Sequence, residues 1–333
     1  MNSSSSIPIN RLRGALLRDV SRSFYLSLRL LPTTLRDPIS LAYLLARATD
    51  TIADTAAAPV EIRLERLREL ARQIQSGGAQ AGAASFASLA TDPAERLLLE
   101  NVPACLTWLQ EMPDPDQCDI RKVLARINEG QVLDLQRFGD AETLAALETA
   151  ADLDRYTYLV AGCVGEFWTR VCFRRLTNFS AETAETMLSW GVEYGKGLQL
   201  INILRDAGAD LGAGRCYLPG EELRSLGLSV DDLGREPARA EPVLRSWRER
   251  AEQGIAAGVD YACAIKSARV RMATVLPALI GARTLALLRQ AGAEVFARRI
   301  KIERAEVRQI LFTLATRLAS RRSIRELFAR LSS

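Results

Sequence analysis

Two stretches of the chain set carboxylates at a spacing suited to metal chemistry. The first reads Tyr43-Leu-Leu-Ala-Arg47-Ala-Thr-Asp50-Thr-Ile-Ala-Asp54. At about 100° per helical residue, Tyr43, Arg47, Asp50 and Asp54 fall within about 60° of one face. The second reads Gln199-Leu-Ile-Asn202-Ile-Leu-Arg205-Asp206-Ala-Gly-Ala-Asp210. Gln199, Asn202, Asp206 and Asp210 fall within about 80° of one face by the same arithmetic. Carboxylates four residues apart lie one above the other and repel. Their flanks are apolar, so both faces are expected to be partly buried, and a buried carboxylate pair needs a cation. Taken singly, each pair reads equally as a solvated edge with Arg47 or Arg205 as its salt-bridge partner. Two such pairs, each beside an arginine, point further. Facing each other, they would line a pocket with oxygens for roughly two or three Mg²⁺ ions, since Mg²⁺ accepts one or two carboxylates plus substrate phosphates. The chemistry is that of a diphosphate leaving group neutralised by metal ions and arginines.

Composition narrows the alternatives. The 333 residues include no histidine. That excludes the Ser-His-Asp triad, the Cys-His pair and histidine-ligated zinc, and leaves oxygen ligands for any metal. Six cysteines form no CxxC pair, which weakens redox and thiolate-metal readings. The formal net charge of +4 is too small to argue nucleic-acid binding, although a mildly basic surface suits anionic partners. Apolar residues at 48% and charged residues at 25% match soluble globular chains and exclude a disordered one. The start, MNSSSSIPIN, is polar and has no secretory leader pattern, so a cytoplasmic protein with reduced thiols is expected. The most apolar run, Val275 to Leu288, is broken by Arg283. No transmembrane span is expected; contact with a membrane would be peripheral, through apolar helix faces and basic surface.

The acidic motifs need long helices to carry them. Leu, Ala, Arg, Glu and Gln are abundant and alternating β-branched runs nearly absent, so the expected fold is all-α, with ten or more helices. Prolines punctuate the first third, and none occurs from residue 116 to 218, leaving room for several long helices. Ser76–Asp92, rich in Gly, Ala and Ser, reads as a flexible surface loop, and Gly212 to about Pro242 as a second irregular region. No solenoid repeat or composition break marks a boundary. Residues 1–10 are expected to be a disordered lead-in and 11–330 a single helical domain.

At these residues the sequence resembles the squalene/phytoene synthase family, the head-to-head prenyl transferases of the class I isoprenoid synthase fold. The resemblance covers about residues 15–315. It rests on five ordered motifs: Ser21-Arg-Ser-Phe24, Arg47 to Asp54, Tyr156-Thr-Tyr-Leu-Val160-Ala-Gly162-Cys-Val-Gly165, Gln199 to Asp210, and Gly214-Arg-Cys-Tyr-Leu-Pro219. It implies a central cavity with two facing aspartate-rich helices. Asp50, Asp54, Asp206 and Asp210 would bind Mg²⁺, with Asn202 a supporting ligand. Ser21, Arg22, Arg47 and Arg205 would contact diphosphate oxygens, with Ser23 beside them. Phe24, Tyr43, Val160, Gly162 and Gln199 would line the prenyl channel. Tyr156 is the residue the family offers for proton abstraction. Ala53 departs from the family pattern, where many relatives have Glu, so one carboxylate is missing.

Simpler roles stand beside these. Ser21 and Ser23 also read as N-caps, Tyr43 and Tyr156 as core tyrosines, Gly162 and Gly165 as close-packing positions, and Arg298 to Arg304 as a solvated basic face. Within the family, Val295-Phe-Ala-Arg-Arg-Ile-Lys301-Ile resembles the segment that squalene-forming members associate with NADPH, assigning Lys301 and Arg304 to that cofactor. The expected reaction is therefore condensation of two farnesyl diphosphates to presqualene diphosphate, then reduction to squalene. Gly214–Pro219 reads instead as in phytoene synthases, so dehydrosqualene, phytoene or hydroxysqualene formation without a reductant is the alternative. A non-enzymatic helical module is a third reading, disfavoured by the four retained aspartates.

Overall fold

The structure, a computed structural model, describes residues 8–21, 24–77, 81–139, 144–316 and 320–333. Contacts divide the chain into two compact units, Met1–Gln136 and Arg137–Ser333. Their junction falls inside one continuous helix, so no linker or composition change marks it in the sequence.

The first unit is helical throughout its described residues. α1 (Ile9–Arg11) runs through a π-turn at Leu12–Leu16 into α2 (Leu17–Ser21), so helix starts within the expected lead-in. α3 (Phe24–Leu30), α4 (Thr33–Asp54) and α5 (Val60–Ser76) follow. After a 3₁₀ segment at Ala81–Leu89 come α6 (Pro93–Glu100), α7 (Val102–Gln110) and α8 (Asp114–Phe138). The prolines work as start signals: Pro32 and Pro59 precede α4 and α5, and Pro93 opens α6 behind Asp92, whose side chain accepts from Ala94 N at 2.8 Å. The expected flexible loop is partly structured. Phe86 is buried and anchors the 3₁₀ segment, which small residues around it allow to pack closely.

The second unit opens with β1 (Ala145–Ala146), α9 (Ala150–Thr157), a π-helical turn at Tyr158–Gly162, and α10 (Cys163–Arg175). α11 (Ala184–Gly212) is the longest helix; Thr183 caps it by accepting from Thr186 N at 3.2 Å, and no proline interrupts it. Gly214, in the left-handed region at φ 79°, ends the run. β2 (Arg215–Cys216) then pairs in parallel with β1. α12 (Gly220–Ser225), two 3₁₀ turns, α13 (Glu241–Ala264), α14 (Ala268–Ala291), a 3₁₀ turn at Gly292–Phe296, α15 (Arg304–Thr316) and α16 (Arg321–Ser332) complete it. The region expected to be irregular after Gly212 thus holds short helical pieces, anchored by buried Leu223, Leu228 and Leu233.

The core of this unit lies among α11, α13 and α14, where Leu200, Ile201, Ile255 and Leu279 are buried. Burying such side chains contributes about 1.5–3 kcal/mol each. α10 crosses α11 at backbone contact: a Cβ on Gly165 would stand 1.9 Å from Gly191 O, which only paired glycines permit. Among the described residues, one helix is long and apolar enough to cross a membrane, Ala268–Phe296, and 72% of its apolar window is buried in the protein, as in a core helix. Arg283 within it pairs with Glu306 at 3.0 Å. No disulfide forms; Cys105, Cys163, Cys172, Cys216 and Cys263 are buried and Cys118 is exposed.

Candidate functional site

In the first unit, α4 carries the first acidic motif. Its buried face (Leu41, Leu44, Leu45, Ala48, Ile52) holds the helix in place and turns Tyr43, Arg47 and Asp50 to a half-buried edge. Arg47 Nη1 donates to Asp50 Oδ2 at 2.6 Å, and Nη2 to Glu95 of α6. Burial works against the Arg47 charge, but Asp50 and Glu95 outweigh it. Asp50 is pushed up to about 6, first by burial and then by Asp54 one turn on; Arg47 opposes both. Asp50 thus stays raised in spite of its bond to Arg47. Arg63 donates to Ala53 O at 2.9 Å, where many relatives carry the additional carboxylate. Tyr43 Oη donates to Val20 O at 3.2 Å, and Ser21 Oγ to Leu17 O, four residues back. Ser21 is therefore buried and locally bonded rather than an N-cap. Arg22 and Ser23, and the side chain of Phe24, lie outside what the structure describes.

In the second unit, α11 carries the other motif with the opposite charge balance. Arg205 grips Asp206 through Nε (3.0 Å) and Nη2 (2.6 Å). Arg299 grips it from the other side, Nε at 2.6 Å and Nη2 at 3.2 Å. Burial pushes Asp206 up, yet the two guanidiniums together hold it below the ordinary carboxylate range. Asp210 accepts from Arg215 at 3.0 Å, and Asn202 donates to Gln199 Oε1 at 3.3 Å. Arg299 reaches α11 because Gly208 lets the Gly292–Phe296 turn lie against the helix: a Cβ there would meet Phe296 O at 2.4 Å. Arg299 thus joins the motif from the basic face expected for residues 298–304 while staying exposed, as Lys301 and Arg304 are.

The Gly214–Pro219 segment serves the same region. Arg215 meets Asp210, and Tyr217 stacks on Tyr156 with centroids 5.0 Å apart and planes at 24°. Phe138 meets Tyr217 edge-on at 5.1 Å. Tyr156 sits just before the π-turn, a distortion that often accompanies functional sites. Val160, on that turn, is half-buried. Gly162 is buried against α11; a Cβ on it would lie 3.1 Å from the Lys196 side chain. Lys196 itself bonds Asp154 of α9 and lies 3.5 Å from Glu193.

Three residues escaped the sequence reading: Glu95, Arg299 and Arg215. Glu95 is 48 residues from Arg47, and Arg299 is 93 from Asp206. No local spacing links such pairs. Arg215 stands five residues from Asp210, in a segment read as motif without a side-chain role.

The residues fit Mg²⁺. No group of three Cys, Asp or Glu side chains converges among the described residues. A closed protein cage is absent from them, but Mg²⁺ favours a carboxylate or two plus substrate phosphates. The Asp50–Asp54 pair offers that: burial and the neighbouring carboxylate both raise Asp50, and a cation would relieve both effects.

The described residues are mainly helical with almost no strand, and comparison with known proteins agrees on the fold. The chain aligns with a ligand complex of TcSQS at a TM-score of 0.77, 22% identical, covering 96% of this chain and 89% of that one. It is 29% identical over 209 residues to a squalene synthase of Yarrowia lipolytica, covering 62% of this chain and 44% of that protein. It is 28% identical over 241 residues to a bifunctional lycopene cyclase/phytoene synthase of Phaeosphaeria nodorum, covering 71% and 38%. The chain thus spans less than half the length of these two relatives. The fold is the all-α isoprenoid synthase fold of squalene synthases. The squalene/phytoene synthase profile matches residues 17–306, which include both acidic motifs, the π-turn and Arg299, and the chain belongs to that family of prenyl transferases.

Proposed function

We propose that this chain is a squalene synthase: a Mg²⁺-dependent head-to-head condensation of two farnesyl diphosphates gives presqualene diphosphate, which NADPH then reduces to squalene. The observation that carries the reading is the contrast between its acidic motifs. Asp50, buried beside Asp54, stays raised although Arg47 bonds it, while Asp206 is flanked by two arginines and held low. Both carboxylate pairs suit a cation, and the guanidiniums on Asp206 suit a polyanion brought to the same motif. Asp50, Asp54, Asp206 and Asp210, supported by Asn202, would hold Mg²⁺, which supplies positive charge to the departing diphosphate. Arg47 and Arg205 contact diphosphate oxygens, and Arg299 adds a third guanidinium. Ser21, Arg22 and Ser23 belong to the same task. Phe24, Tyr43, Val160, Gly162 and Gln199 line the prenyl chains and exclude water, which would trap a carbocation as an alcohol. Tyr156 relays the proton lost in forming the cyclopropane to an oxygen of the released diphosphate, its ring held by stacking on Tyr217.

The reductive half is supported by the turn that abuts Gly208. It brings Arg299 to Asp206, so Lys301, two residues on, belongs to a segment fixed beside the second motif. Lys301 and Arg304 would hold NADPH, the hydride donor of the second step. The Gly214–Pro219 segment favours the second reading, dehydrosqualene or phytoene formation without a reductant; water capture to hydroxysqualene is its variant. The protein is cytoplasmic and meets membranes peripherally.

Incubation with farnesyl diphosphate and Mg²⁺, with and without NADPH, separates these. Squalene only with NADPH is expected. The same hydrocarbon with or without NADPH would replace this assignment by dehydrosqualene or phytoene synthesis, and dominant hydroxysqualene by water capture. Tyr156→Phe is expected to lose presqualene diphosphate formation yet to keep some reduction of supplied presqualene diphosphate.

A further inference from the structure

Charge is unevenly spread along the chain. Residues Arg298 to Ser333 include ten Lys or Arg against three Asp or Glu, a net of +7, while the whole chain carries only +4. The basic excess therefore belongs entirely to this stretch, most of which forms α15 and α16. Each helix packs one face inward on the second unit's core: Ile310 and Leu314 of α15, Ile324 and Leu327 of α16, all buried. Both contact α14, which leaves their outer stripes at the surface.

The outer stripe of α15 carries Arg308 and Phe312 one turn apart, both exposed. Phe312 is 69% exposed, well above the other exposed large apolar side chains of the described residues, which reach 41%. On α16, Arg321, Arg322, Arg325 and Arg330 are exposed. Arg322 pairs with Glu326 and Arg325 with Asp260, but Arg322 stays 90% exposed and Arg325 62%. Pairs so open to solvent bind weakly and are readily exchanged for other anions.

We propose that the outer faces of α15 and α16 dock the protein onto an anionic lipid surface, with Phe312 entering the acyl boundary and the arginines lying among the headgroups. An aromatic ring on a basic helical stripe is the composition of an interfacial helix. Clustered arginines gain from the negative surface potential, and their long stems let the charge stay at headgroup level. A nucleic-acid surface would draw on several stacking aromatics, and this stripe has one. The inference rests on the proposed peripheral contact with membranes, to which it assigns a surface, and not on which product the chain makes.

The test is sedimentation of the full chain with vesicles of phosphatidylcholine, with and without phosphatidylglycerol. Binding is expected only with phosphatidylglycerol, and to fall steeply with salt. Arg321→Gln with Arg322→Gln should weaken it by roughly fivefold per charge. Phe312→Ser should weaken it by roughly five- to tenfold and reduce the salt-resistant fraction. All three positions are exposed, so circular dichroism and the melting temperature should match the parent. Equal binding to neutral vesicles, or variants that bind as the parent does, would overturn the proposal. So would absence of vesicle binding alongside self-association that Phe312→Ser abolishes, since the ring would then face a second copy.

Discussion

Gly208→Ala tests whether the second acidic motif depends on backbone contact. The added Cβ would lie 2.4 Å from Phe296 O, 2.8 Å from Phe296 C and 2.9 Å from Val295 O. Ordinary contact begins near 3.4 Å, and all three atoms are backbone, so no side chain can swing aside. The Gly292–Phe296 turn must retreat by about 1 Å. Overpacking of this kind costs about 1–3 kcal/mol, against about 1 kcal/mol gained by removing a glycine from a helix. The net expectation is a loss of up to about 2 kcal/mol. Arg299 lies three residues beyond Phe296. Carried along, its 2.6 Å contact with Asp206 stretches to about 3.6 Å, past hydrogen-bonding distance. A displacement of about 1 Å at a positioning group can lower turnover by about 10²-fold. Gly212→Ala is the matched control, one turn on in the same helix with nothing within 4 Å, and should be neutral or slightly stabilising. Urea unfolding and steady-state turnover of prenyl diphosphate are the assays. If the two variants agree within about 0.5 kcal/mol and within twofold in rate, the contact does not organise the site.

Further outcomes follow from the charge balance. Asp50→Asn should abolish turnover yet stabilise the metal-free protein above pH 6. Its carboxyl is raised, so the folded chain favours the protonated form; that contribution is present below the ordinary carboxylate range and lost as pH rises through about 6. With 44% of the side chain exposed, solvent screening limits the effect to about 1 kcal/mol, read by melting in chelator at pH 5 and pH 8. Asp206→Asn should lose activity while keeping helix content, and near-normal turnover would refute its role. Lys301→Ala should leave condensation intact and let presqualene diphosphate or unreduced products accumulate, measured by product analysis with NADPH present.

The sequence made the helices and both acidic pairs legible because these are local: period, caps and four-residue spacing act within a turn or two. Arg205 beside Asp206 was visible for the same reason. Arg299 was not, because its approach depends on the absence of a Cβ at Gly208, ninety residues earlier, and a solvated Arg-rich run looks identical in sequence. Phe86 shows the converse. Its Ala, Gly and Ser neighbours read as a loop by composition, yet a single buried ring orders the segment. The division into two units was also hidden, because α8 passes through it without a break. Likewise, no residue pattern announced the π-turn between Tyr156 and Gly165.

The distribution of thiols gives the molecule a single chemical address. Burial raises Cys105 and Cys216 to about 12 and lifts Cys172 and Cys263 as well, so at neutral pH these sulfurs are thiols shut away from reagents. Cys163 is equally enclosed, its Sγ donating to Leu159 O at 3.0 Å. Cys118, near the start of α8, alone meets solvent. A maleimide dye added to the native chain should therefore attach once, in the first unit, without any engineered substitution. Four of the five sheltered sulfurs belong to the second unit, so the count of titratable thiols becomes a clock for its opening, while the dye on α8 reports the first.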